Sequence, residues 1–284
     1  MKSLIKHIIL KILKRLGDVT PIQINWRNLH DHKYMRATLD TMRLSKFYNP
    51  KEVTVPKNKK ILILSPHPDD ETIGAGGTIL KMVECGCDVH VLQFTLGDKP
   101  EVYEESLKVP EILKFTPHYL RFAAGRMEMD EKSLKMVFGQ INDIAPDVIF
   151  IPFLLDDNED HRRVNEYIYK GFIQNMLNIS SSTSLWAYQV YSFFPINATV
   201  RVTDFIEEKS RAMRCYQSQF CVRDWVHFMK GLNAFNIRFL TGGHIGEEYV
   251  EVFFRTSVKH YSEICATYFG DDTTRCYSNQ YYQK

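Results

Sequence analysis

The sequence predicts an α/β fold: a doubly wound, mainly parallel sheet flanked by helices, with an N-terminal helical extension. Three observations lead there. Short apolar runs such as Ile61-Leu62-Ile63-Leu64 and Val148-Ile149-Phe150-Ile151 read as strands buried on both faces. Segments with helical periodicity alternate with those runs. Two loops rich in histidine and aspartate directly follow two of the runs, at the strand ends where open parallel sheets bind ligands. With 284 residues, 44% of them hydrophobic, the chain can bury one large core.

The elements follow in order. Residues 1–16, MKSLIKHIILKILKRL, hold Ile5, Ile9, Ile12 and Leu16 on one helical face among five basic residues and no acid. Such a helix either lies on an anionic membrane surface or packs on protein. Its lysines interrupt the apolar stretch, so it does not read as a secretory signal. Residues 17–60 show no clear period, and Asn49 to Lys60, with Pro50 and Pro56, reads as a linker. The first sheet strand follows at 61–64. Gly74-Ala75-Gly76-Gly77 is expected to be a tight turn before a short helix, Thr78 to Glu84. Asp88 to Thr95 is the second strand, Glu101 to Lys114 a helix made imperfect by Pro110, and Tyr119 to Ala123 a third strand. Glu131 to Ile144 presents Leu134, Val137, Phe138, Ile141 and Ile144 on one face, and Asp147 to Pro152 is the next buried strand. The helix after it carries Val164, Ile168, Phe172 and Leu177. Leu185–Tyr191 and Ala198–Val202 read as strands, and Asp204 with Glu207 forms a capping-box pattern before a helix through Tyr216. Residues 222–245 are mixed, Glu251-Val252-Phe253-Phe254 is a short apolar segment, and the tyrosine-rich tail carries no functional signal.

Bulk properties exclude several classes. A formal net charge of +2, with no basic stripe interleaved with aromatics, argues against a nucleic-acid partner. Six cysteines, at 85, 87, 215, 221, 265 and 276, are too sparse for a disulfide framework and point to a reducing, cytoplasmic setting. No apolar run reaches the ~20 residues that span a bilayer, so membrane contact would be peripheral, through residues 1–16. The glycine run lacks GxGxxG spacing and follows acidic residues that would repel a pyrophosphate, which argues against a nucleotide-binding Rossmann protein.

The chemistry sits in Pro66-His67-Pro68-Asp69-Asp70-Glu71 and Asp156-Asp157-Asn158-Glu159-Asp160-His161. His67 and Asp70 offer nitrogen and oxygen donors suited to zinc, and Asp69 between them is free to handle protons. His161, at the second strand end, would complete three ligands and leave a fourth position for water. The same donors accept other divalent ions. Asp160 favours the start of its helix and is a candidate for orienting a ligand or Asn158.

These residues resemble the PIG-L/LmbE-type zinc N-deacetylases, which remove acetyl groups from N-acetylated sugars and related amides. PHPDDE at 66–71 with the glycine run, and PFLLDDNEDHRRVNE at 152–166, carry the resemblance. Lys209–Tyr216 with Ser218-Gln219, and Tyr249 to Phe253, add to it. It implies a Rossmann-like, LmbE-like domain over about 60–255, between an extension at 1–59 and a tail at 256–284. It implies zinc on His67, Asp70 and His161, and Asp69 as the general base. One position departs: where many members have a histidine three residues before the last ligand, this chain has Asn158, which can donate a hydrogen bond to an oxyanion but is no acid at neutral pH. No arginine opens the helix after Gly97-Asp98, where members often place one that contacts sugar. The expected substrate is a small-molecule or lipid-linked N-acetyl sugar. The alternative is a catalytically weak or inactive sugar-binding or assembly protein on the same fold.

Overall fold

The computed structural model describes residues 35, 37–39, 49–97, 99–240 and 246–270. The amphipathic segment 1–16, Asp98, His244 and the chain beyond 270 lie outside them. The strands are β1 (Lys51–Glu52), β2 (Lys60–Ser65), β3 (Asp88–Thr95), β4 (Thr116–Phe122), β5 (Val148–Pro152), β6 (Ser184–Tyr188), β7 (Ala198–Arg201) and β8 (Val250–Ser257). They form one sheet in the order β1-β7-β8-β6-β5-β2-β3-β4. All pairs are parallel except those of β8, which runs antiparallel to both β6 and β7.

The helices are α1 (Asp70–Glu84), α2 (Pro100–Ser106), α3 (Val109–Leu113), α4 (Glu131–Ile144), α5 (Glu159–Ile173), α6 (Ile206–Met213), α7 (Trp225–Phe235) and α8 (Val258–Phe269). Side chains alternate along each strand, so β2 divides its apolar run between two cores. Leu62 and Leu64 join Val137 and Ile141 of α4 and Val164 and Ile168 of α5. Ile61 and Ile63 join Ile73 and Ile79 of α1 and Ala212 and Met213 of α6. Because helices cover both faces, the strand has no polar side, which is why it reads as an unbroken apolar run.

Several expectations change. The glycine run is no turn: α1 begins at Asp70 and carries Gly74, Gly76 and Gly77 inside it. Local propensity against glycine is overridden because the helix lies against the sheet with almost no space. A Cβ on Gly74 would sit 2.2 Å from Tyr188 Cδ2, and one on Gly77 2.5 Å from Val202 Cβ. The helix expected over 101–114 is two, α2 and α3, with Pro110 in the first turn of α3, where its missing N–H costs nothing. The linker contains edge strand β1, continued by Val53 N donating to Thr199 O at 2.9 Å. Asp204 and Glu207 make no capping box: a single 3₁₀ turn, Thr203–Phe205, leads into α6 without a side-chain cap bond. Leu177 lies beyond the end of α5. The mixed stretch after 222 holds α7, whose N-cap Asp224 accepts from His227 N. The boundary drawn at 255 falls within β8, and the chain continues directly into α8, which packs on α5.

Candidate metal centre

β2 and β5 are neighbours, and the helices that follow β2 and precede β5 lie on opposite faces of the sheet. This is a topological switch point, where the carboxyl ends of strands leave a crevice. The loop after β2 is pinned there by β3: Thr95 donates to Pro66 O through both its backbone N and its Oγ1, each at 3.0 Å. Asp69 ends that loop with φ 102° and ψ −28°, a left-handed conformation that costs a non-glycine residue about 1–3 kcal/mol. It turns the chain into α1 and leaves Asp69 partly exposed beside the fully buried Asp70.

His67, Asp70 and His161 each bring one ligand atom within 4.8 Å of the others. Asp70 Oδ2 is the shared centre, 3.1 Å from His67 Nδ1 and 3.1 Å from His161 Nε2. Donors about 2.0–2.1 Å from a tetrahedral ion stand roughly 3.3 Å apart, which the two Asp70–histidine separations approach. Asp70 Oδ1 is buried without a hydrogen-bond partner among the described residues, a cost that a cation would remove.

The far nitrogen of each histidine meets a second carboxylate. His67 Nε2 lies 2.9 Å from Asp160 Oδ2, and His161 Nδ1 lies 3.1 Å from Asp156 Oδ1. The His67 contact is a hydrogen bond, of the kind that fixes a tautomer and aims the other nitrogen at a metal, whereas His161 meets Asp156 at ion-pair distance without hydrogen-bond geometry. Asp160 is itself held by Gly125 N at 2.7 Å, and Asp156 accepts from Asn158 N, Tyr191 N and Ser192 N. Asn158 Oδ1 accepts from Asp160 N at 2.8 Å and caps α5, so its oxygen is engaged with the backbone. Glu71 supports the loop, accepting from Ser65 Oγ and Thr72 Oγ1, each at 2.8 Å.

Electrostatics follow from this crowding. Burial opposes charge on His67, yet Asp160 and Asp70 raise its pKa to about 10. Burial likewise opposes charge on His161, and Asp70 and Asp156 raise it to about 9. Burial resists the charged form of Asp70, but His161 and His67 hold its carboxyl well below the usual range. Loss of solvent, then the carboxylates of Asp70 and Glu71, push Asp69 well above its ordinary value.

Sequence reasoning missed three supports. Asp156 was read only as part of an acidic loop. Tyr191 stacks on His161, ring centroids 5.7 Å apart, and at 42% exposure forms the outer wall. Tyr261 of α8 donates to Asn165 Oδ1 at 2.7 Å and accepts from Leu154 N at 2.9 Å, bracing both ends of the second loop. An Asp five residues before a ligand histidine was a signal available in sequence. Tyr191 and Tyr261 had none, because only folding brings them near.

Residues 62–171, which contain His67, Asp69, Asp70, Asn158, Asp160 and His161, match the family model PIG-L, GlcNAc-PI de-N-acetylase. Over that segment the chain is similar to the PIG-L/LmbE-type deacetylases. A relative, diacetylchitobiose deacetylase of Thermococcus kodakarensis, is 27% identical over 59% of this chain and 72% of its own length. Among solved structures, N,N'-diacetylchitobiose deacetylase from Pyrococcus horikoshii has the same fold, with a TM-score of 0.60 and 21% identity, covering 86% of this chain and 96% of that one. So does 4-carboxy-2-hydroxymuconate hydratase from Pseudomonas putida KT2440, with a TM-score of 0.57 and 16% identity, covering 69% and 95%. One fold is thus shared by a deacetylase and a hydratase, and the reaction has to be argued from the site.

Proposed function

We propose that this protein is a metal-dependent hydrolase that removes the N-acetyl group from an N-acetylated amino sugar. The observation that carries the proposal is the pair of histidines aimed at Asp70, each backed by its own carboxylate, with Asp69 beside them at the mouth of the crevice. The deacetylase relative that acts on diacetylchitobiose supports the substrate class.

His67 Nδ1, His161 Nε2 and Asp70 would hold a divalent ion, zinc by donor type. When bound, such an ion supplies Lewis acidity, which lowers the pKa of water and polarises an acyl oxygen. Asp69 takes the proton from the attacking water and returns it to the departing amine. Asp156 and Asp160 keep the imidazoles oriented throughout, and Tyr191 shields His161 from solvent. Asn158, engaged in capping α5, takes no part in proton transfer.

The test is acetate release from free, nucleotide-linked and lipid-linked N-acetylhexosamines by the zinc-loaded protein, with Asp69→Ala as control. Release lost in the variant, at unchanged zinc content, supports the reading. Bound zinc with no release from any of the three would favour a sugar-binding protein on this fold.

A further inference from the structure

A second buried constellation lies on the other side of α1. Lys209 of α6 is fully buried, and its three ammonium donors are all used: Ile73 O at 2.9 Å, Asn233 Oδ1 at 2.7 Å and Glu251 Oε1 at 2.6 Å. Glu251 of β8 accepts from Gly77 N through Oε1 and from Thr78 N through Oε2, both at 2.8 Å. Asn233 of α7 donates in turn to Val250 O at 3.3 Å. Four elements, α1, α6, α7 and β8, thus meet in one charged network.

Its target is specific. The network grips α1 at Ile73, Gly77 and Thr78, and Ile73 N donates to Asp69 O at 2.8 Å. The bond chain runs from Lys209 through Ile73 to the left-handed residue that opens the helix. Burying an ion pair seldom adds net stability over apolar residues of similar volume, so this pair invites a reason other than stability. Gly76 leaves room for it: a Cβ there would stand 3.0 Å from Lys209 Cγ.

We propose that Lys209 and Glu251 are positioning residues: a buried clamp that seats the first turns of α1 and so sets where the carboxylates of Asp69 and Asp70 stand against His67 and His161. The proposal rests on the hydrolase reading for its kinetic consequence, but its geometric consequence does not depend on it.

The experiment uses the full chain loaded with Co2+, whose visible absorption reports ligand geometry, together with kcat and KM for acetate release. Lys209→Met and Glu251→Gln, compared well below their melting temperatures, should show an altered Co2+ spectrum. Their kcat should fall ~10–100-fold while KM moves less than about threefold, as expected for a shift of the order of an ångström. Where either variant fails to fold, Gly76→Ala, which only crowds Lys209, should change the spectrum in the same direction by less. Variants with a wild-type spectrum and kcat, and only a lower melting temperature, would overturn the clamp and leave a structural ion pair. If the wild-type protein releases no acetate, the hydrolase reading fails, while the spectra still decide the clamp.

Discussion

Replacing Gly74 by alanine tests how closely α1 lies on the sheet. In an ordinary exposed helix this change gains about 1 kcal/mol, because alanine loses less backbone entropy. Here the new Cβ would sit 2.2 Å from Tyr188 Cδ2 and 2.9 Å from Cε2, whereas ordinary contact begins near 3.4 Å. Either the helix or the ring has to move by more than an ångström. The ring is fully buried and its hydroxyl is tied to Leu64 O at 2.8 Å, so it has nowhere to swing. Overpacking of this kind costs ~1–3 kcal/mol, and the severity of the overlap puts this case at the upper end. The net effect should be a loss of about 2 kcal/mol, or a melting temperature lowered by ~4–8 °C. Gly139 in α4 is the control: exposed, helical, with no atom within 4 Å of its Cβ position. Alanine there should raise the melting temperature by ~2–4 °C. Thermal unfolding followed by circular dichroism reads both signs. A Gly74→Ala protein as stable as wild type, or more so, would refute the close approach, and with it the account of why the glycine run is helical.

Other outcomes follow from the site. Asp156→Asn removes the charge behind His161 Nδ1 and should weaken zinc binding about 10–100-fold, measured by competition with a chromophoric chelator; unchanged affinity would remove Asp156 as the orienting group. Asn158→Ala should cost ~1 kcal/mol by uncapping α5, and Asn158→Ser should restore the stability; a loss of activity with stability intact would instead place Asn158 among the reacting groups. In the metal-free protein the two imidazoles have pKa values of about 10 and about 9, above their unfolded value of 6.5. Their contribution to stability is complete below pH 6.5 and is lost as pH rises towards 9–10, so denaturant midpoints of the metal-free protein should fall across that window. Zinc affinity should move the other way, strengthening with pH as the ion no longer has to displace those protons; a flat affinity profile would contradict the raised values.

What the sequence determined is what local pattern can carry. The run Ile61–Leu64 is apolar on both sides, and that alone requires cover on both faces, hence a central parallel strand. His67, Asp70 and His161 were legible because each lies in or just beyond the loop that follows such a strand, and the ends of neighbouring parallel strands share one edge of the sheet. The glycine run was misread because glycine signals equally a bend and a close approach, and only the positions of Tyr188 and Val202, more than a hundred residues away, decide between them. The antiparallel course of β8 and the packing of α8 on α5 were decided by the sheet as a whole, since an apolar strand carries no mark of its direction. The same holds for the pairing of Lys209 with Glu251 and of Asp160 with His67. A charge in a sequence does not say whether it will be solvated or buried. That depends on what the folded chain sets opposite it, and in this protein the answer comes from residues 42 and 93 positions distant.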